Sequence, residues 1–209
     1  AKFALIPTLE PSNQQEAYDM MAAAFELSET LKEPVMLRIV TRLAHSRAAV
    51  CIGETKAENP LNPSTESWVL LPGIARKKYD ILIEKQKDMV EAAENSAFNK
   101  SESIADKKLG IIACGIGYNY VKEAVGDNAN ILKISQYPLP EKKIMALAEE
   151  CDEILVVEDG QPVAEEGVRC IIGDKAPIKG RLTGDLPRTG ELTPDNVAKA
   201  LGIEVKEGF

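Results

Sequence analysis

The sequence predicts an α/β fold: a parallel sheet with flanking helices, preceded by a partial α/β unit and a helical linker. Three observations carry the sheet. Between residues 109 and 160, three short apolar runs (Leu109–Cys114, Asn130–Ile134 and 153–158) alternate with stretches of helical spacing. Alternating strands and helices imply parallel strands joined by right-handed crossovers. The breaks after each run, Gly115-Ile-Gly117, Tyr137-Pro-Leu-Pro140 and Glu158-Asp-Gly160, suit strand-to-helix turns. In such sheets ligands and partners meet the carboxyl ends of the strands, which here are residues 115–117, 135–137 and 158–160.

From the start of the chain, Ala1-Lys-Phe-Ala-Leu-Ile6 reads as a buried strand. Ser12 and Gln15 fit a Ser-x-x-Gln capping box ahead of a helix whose Ala17, Met20, Met21, Ala24, Leu27 and Leu31 share one face. Glu33-Pro34 stops that helix, and residues 35–39 follow as a buried strand. Residues 41–46, Thr-Arg-Leu-Ala-His-Ser, leave its carboxyl end. Residues 1–50 are thus expected to be the tail of an α/β domain, too short to build a two-faced sheet alone.

Residues 51–107 form the expected linker. Asn59-Pro60 and Asn62-Pro63-Ser64 are turn signals, and residues 68–71 form a brief apolar patch. One long amphipathic helix is expected over 75–97, with a stripe of Tyr79, Leu82, Ile83, Gln86, Met89, Val90 and Ala93. Residues 99–108 read as polar and loose. The second domain, 108–209, continues past its third strand with a helix at Val163–Ile172 opened by Pro162 and a fourth strand at 178–181. A turn-rich loop and a final helix from Thr193-Pro194 follow, and Gly202 ends that helix.

The chain carries 33 acidic against 25 basic residues, a net charge of −8. General binding to nucleic acid or anionic membrane needs basic patches, so neither is expected as a partner. No apolar run approaches the roughly 20 residues of a membrane span. The chain opens on a strand-like run with no initiator Met, which reads as a piece cut from a longer protein. Cys51, Cys114, Cys151 and Cys170 make no CxxC pair and have one histidine for company, so no metal site is expected. Cys114 and Cys170, in apolar runs, are expected to be buried, and a reduced, cytoplasmic setting fits.

Four places hold candidate chemistry. Gly115-x-Gly117, between strand and helix, has the setting of a dinucleotide fingerprint, but Tyr120 replaces its third glycine. Two readings follow: a tight turn that needs glycine, or a ligand-binding turn. Glu158, at a strand end, can accept hydrogen bonds from the next helix start or from a partner. His45 and Arg42 lie just past another strand end, as acid, base or anion holder on one reading and as junction residues on the other. Leu182-Thr-Gly-Asp185 and Arg188-Thr-Gly-Glu191 are turns, and neither is a P-loop.

Several stretches occur in a telling order: Glu10-Pro-Ser-Asn13, Thr41-Arg-Leu-Ala-His-Ser46, residues 110–120, Tyr137-Pro-Leu-Pro140, Val156-Val-Glu158 and Pro187-Arg-Thr-Gly-Glu-Leu-Thr-Pro194. The ordered set resembles the indolepyruvate:ferredoxin oxidoreductase α subunits, thiamine-diphosphate enzymes of the 2-oxoacid:ferredoxin oxidoreductase family. The resemblance implies that residues 1–50 end a pyrimidine-binding-like domain and that residues 108–209 form a transketolase C-terminal-like parallel sheet with flanking helices. It also implies a parent enzyme that uses thiamine diphosphate, magnesium and [4Fe–4S] clusters, with a β subunit and ferredoxin as partners. Aryl 2-oxoacids and coenzyme A would be its substrates. The chain lacks the family's Gly-Asp-Gly metal motif and its cysteine ladder. Catalytic residues are therefore expected outside this piece, which should bind none of those cofactors itself. A structural or assembly role is one expectation, and a nucleotide- or coenzyme A-binding or regulatory module is the other.

Overall fold

A computed structural model describes residues 2–54, 60 and 69–205. Its larger sheet has five strands in the order β3-β5-β4-β7-β8. These are β3 (Ser101–Glu102), β4 (Leu109–Cys114), β5 (Asn130–Ile134), β7 (Glu153–Val157) and β8 (Ile178–Lys179). The last four run parallel, as their separation by α5 (Gly117–Val125), α6 (Glu141–Glu150) and α7 (Val163–Ile172) requires. The apolar runs lack polar alternation because both faces are covered. Ile111, Ala113, Ile131, Leu155 and Val157 pack toward α5 and the terminal helix α8 (Pro194–Ala200). Their neighbours Ile112, Cys114, Leu132, Ile134, Ile154 and Val156 pack toward α6 and α7. A single-residue register slip would exchange the two sets.

The smaller sheet has the order β2-β1-β6, from β1 (Thr8–Leu9), β2 (Met36–Leu37) and β6 (Gln136–Tyr137). β1 and β2 are parallel and joined by α1 (Gln14–Leu31), the expected strand–helix–strand unit. β6 leaves β5 after Ser135 and pairs antiparallel with β1, Thr8 opposite Tyr137 and Leu9 opposite Gln136. One strand–bend–strand segment therefore belongs to both sheets.

Several local expectations need correction. Lys2–Ala4 is a 3-10 turn with Phe3 fully exposed, and the strand begins only at Thr8. The cap of α1 sits one residue later than read: Asn13 accepts from the Glu16 N–H (2.9 Å), and Glu16 accepts from the Ser12 N–H and hydroxyl. On α1 only Met20 and Leu31 are buried, while Met21 and Phe25 face solvent. β2 is an edge strand with Met36 exposed rather than a buried one. Residues 41–45 form a short helix, α2 (Thr41–His45). The single linker helix is two, α3 (Pro72–Glu84) and α4 (Gln86–Glu94), meeting at Lys85. Its stripe is buried only at Met89 and Ala93, whereas Tyr79 and Ile83 are exposed. Residues 99–108 are not loose throughout: Asn99 is buried and β3 joins the sheet. Cys170 is exposed, and Cys151 is buried in its place. Of the linker's turn signals, Asn59 and Asn62-Pro63-Ser64 lie outside the described residues, as does Trp68.

Candidate functional site

The carboxyl ends of β4, β5 and β7 converge on one place, where a fold of this kind takes its ligands. Here the chain's own first unit enters it. The Glu10 N–H donates to the Ser135 carbonyl (2.7 Å), and the Arg38 N–H to the Leu9 carbonyl (2.8 Å), carrying β1 and β2 up to the strand ends. Gly115 has φ +49°, and a Cβ there would lie 2.6 Å from Cγ of Glu10. Glycine is therefore required both by the left-handed turn and by the carboxylate side chain lying against it. At Gly117 a Cβ would stand 2.8 Å from the Val157 carbonyl, so α5 packs tightly on β7. Both glycines have a packing reason, and the space above the 115–117 turn is occupied by Glu10.

Glu10 is only 4% exposed. Its carboxylate pairs with the Arg38 guanidinium and accepts from the Tyr137 hydroxyl (3.0 Å). Burial pushes its pKa above the usual carboxylate value, against the pull of Arg38 and Tyr137. Arg38 also donates to the Asp159 carbonyl (3.1 Å), tying the β2 end to the β7 end. Burial raises the Cys114 thiol and the Tyr137 hydroxyl well above their ordinary values, so neither is a ready nucleophile or acid.

Glu158, 6% exposed, caps α7 from the preceding strand end and accepts from the Ala164 and Glu165 N–H groups at 2.8 Å each. Burial and the neighbouring Glu165 and Glu10 charges push its pKa up to about 7, against the two N–H donors. Arg181, also buried, donates to the Glu158 carbonyl (2.9 Å) and the Pro187 carbonyl (2.6 Å). It stands 3.6 Å from the Asp159 carboxylate. Beside this cluster, between the small sheet and α7, lies a cleft of about 710 Å³. Its walls include Met36, Leu139, Val163 and Ile171, and Thr8, Glu10, Arg38, Tyr137 and Glu158 also line it.

The other candidates lie at the rim. Arg42 donates to the Glu191 carboxylate (2.8 Å) and stacks 5.6 Å from the Tyr120 ring centroid, bridging α2 to the second half of the chain. His45 is exposed in the last turn of α2, apart from the buried cluster. The structure brings Gly115 and Glu158 to one site and leaves His45 outside it. Sequence reasoning missed Glu10 and Arg38 as members of that site and reached Tyr137 only as part of the strand end at residues 135–137. Arg38 within an apolar strand was the one signal for them. Among the described residues no three His, Cys, Asp or Glu side chains gather as metal ligands. The four cysteines are free, two of them buried and two exposed. This donor set does not fit a metal ion or an iron–sulfur cluster.

No family model matches the chain. Curated relatives do. Indolepyruvate oxidoreductase subunit IorA of Pyrococcus abyssi is 37% identical across all of this chain, which spans 35% of that protein. The same subunit of Pyrococcus horikoshii is 38% identical, and that of Archaeoglobus fulgidus 36%, again across the whole chain and 35% of each relative. Among solved structures, 2-oxoglutarate:ferredoxin oxidoreductase from Magnetococcus marinus is similar at a TM-score of 0.61 and 13% identity, over 94% of this chain and 41% of that one. That likeness is one of fold, and it accords with the transketolase C-terminal-like sheet expected from the sequence. The chain thus spans about a third of the length of the curated relatives it matches, and over all of its own length it is similar to part of indolepyruvate oxidoreductase subunit IorA.

Proposed function

We propose that this chain is the support-and-junction portion of an enzyme that oxidatively decarboxylates indolepyruvate and related aryl 2-oxoacids to acyl-coenzyme A, with ferredoxin as electron acceptor. The observation that carries the reading is the whole-length likeness to subunit IorA. In that reading residues 1–50 end a pyrimidine-binding-like domain, 51–107 are a linker, and 108–209 form the transketolase C-terminal-like domain. A β subunit and ferredoxin are the partners, in the cytoplasm. Thiamine diphosphate supplies the electron sink for decarboxylation, with magnesium and [4Fe–4S] clusters held elsewhere in the enzyme. The role of this chain's residues is to hold one domain against the next. Glu10 and Arg38 close the strand-end crevice, and Arg42 with Glu191 braces its rim.

The test is reduction of ferredoxin driven by indolepyruvate and coenzyme A. The full polypeptide that carries this chain, with its partner subunit, is expected to be active, and residues 1–209 alone to be inactive. An inactive full assembly, or an active isolated chain, overturns the reading. Binding of a nucleotide or coenzyme A at residues 115–117 is the alternative, and Glu10 stands in its way. Calorimetry decides it: a heat of binding that disappears in Gly117→Val would favour the alternative.

A further inference from the structure

The smaller sheet is fastened on one side only. β6 continues from β5 and pairs with β1, which ties this sheet to the larger one. β2 is the other edge, and among the described residues β1 is the only strand beside it. The N–H groups of Met36 and Arg38 turn inward, to the carbonyls of Pro7 (3.0 Å) and Leu9 (2.8 Å). The N–H of Leu37, between them, therefore points to the open side. Exposed edges are commonly blunted by proline or by charge. Residues 35–39 hold no proline and one charge, Arg38, whose guanidinium turns back to Glu10 and the Asp159 carbonyl. A sheet of three two-residue strands is also marginal without further pairing.

Helix α1 carries an independent sign. Met20 and Leu31 are buried, with Ala24 and Leu27 half-buried on the same face. Beside that face Tyr18, Met21, Ala22 and Phe25 recur at i, i+3, i+4 and i+7, and all four are exposed, Phe25 to 68%. Asp19, Glu26 and Thr30 lie on the far side. An apolar arc this wide suits a helix buried on more than one side. The cover fits one source. The curated relatives extend well beyond the 35% of their length that this chain spans. An uncharged stripe next to free backbone donors has the make-up of permanent rather than transient contacts. We propose that the open edge of β2 and the Tyr18–Phe25 stripe receive the remainder of the same polypeptide: one of its strands adds to β2, and an apolar element beside that strand packs on the stripe. β6, β1, β2 and the added strand then make one continuous ladder from the larger sheet into the neighbouring domain. The inference rests on the reading of this chain as a junction portion, but its test involves no turnover, so either can fail without the other.

Site-specific photo-crosslinking tests it, with Phe25→p-benzoylphenylalanine in the full polypeptide assembled with its partner subunit. Irradiation should join position 25 to a peptide of the same polypeptide outside these 209 residues, in a product with the mass of one polypeptide. A crosslink to the partner subunit, to a second copy or within residues 1–209 overturns the proposal, as does no crosslink. If that variant fails to assemble, Met21 takes the same replacement. The edge is read separately, by amide hydrogen exchange at single-residue resolution in the unmodified assembly. The Leu37 amide should exchange at least about a hundredfold more slowly than in an unstructured chain, as a paired strand amide does. A smaller slowing means that the edge is open and overturns the added strand.

Discussion

At Gly115 two demands coincide, a positive φ and a neighbouring side chain too near for any Cβ. Gly115→Ala should therefore destabilise the protein by about 2–4 kcal/mol, from the left-handed backbone penalty plus overpacking against Glu10. Gly73→Ala is the contrast, because nothing lies within 4 Å of that position on α3. It should be neutral or stabilising by up to about 1 kcal/mol. Urea denaturation of both variants checks the pair, and equal midpoints would mean that Glu10 is not seated against the turn. The glycines were legible in the sequence as a turn, but Glu10 as their neighbour was not, because nothing in a linear pattern couples positions so far apart. Lys133 teaches the same lesson. It interrupts an apolar strand, yet is 3% exposed. Its ammonium pairs with Glu16, 117 positions earlier, and lies 4.7 Å from the Tyr118 ring centroid. Burial pulls the Lys133 pKa down, while Glu16, which also holds Ser12, sits below its usual value against its own burial penalty.

At the scale of elements, the strands and helices after residue 108 were readable because both faces of that sheet are covered by their own helices. Periodicity there reports burial within the chain. The linker was misread for the opposite reason. A stripe of helical spacing runs through α3 and α4, but the chain covers only the α4 half, where Met89 is 1% exposed. Met89→Asp should lower the thermal midpoint steeply, since burying an unpaired carboxylate costs several kcal/mol. Tyr79→Ser, on the exposed half, should leave the midpoint of this chain nearly unchanged. Calorimetric melts of the two variants check the contrast, and equal shifts would refute the division between the helices. The same logic explains Met21 and Met36. They were expected in a core on sequence grounds and are exposed in this chain.

For the molecule as a whole, the sequence suggested a seam near residue 108, yet β3 already pairs with β5 in the larger sheet before that point. What could not be read was that β6 crosses back to pair with β1, because a two-residue strand has no periodicity to detect. Recognition of the seam depended on apolar runs, whereas the joint itself is made of backbone hydrogen bonds and a few charges. The crossing has a practical consequence. A backbone cut anywhere between residues 54 and 69 leaves β1 and β2 on one fragment and their partner β6 on the other. Co-expressed as separate polypeptides, the two fragments should find each other and purify as one species, behaving as a split protein. The shorter fragment by itself should show no cooperative melt, because among the described residues its only strand pairing is the two-residue contact between β1 and β2.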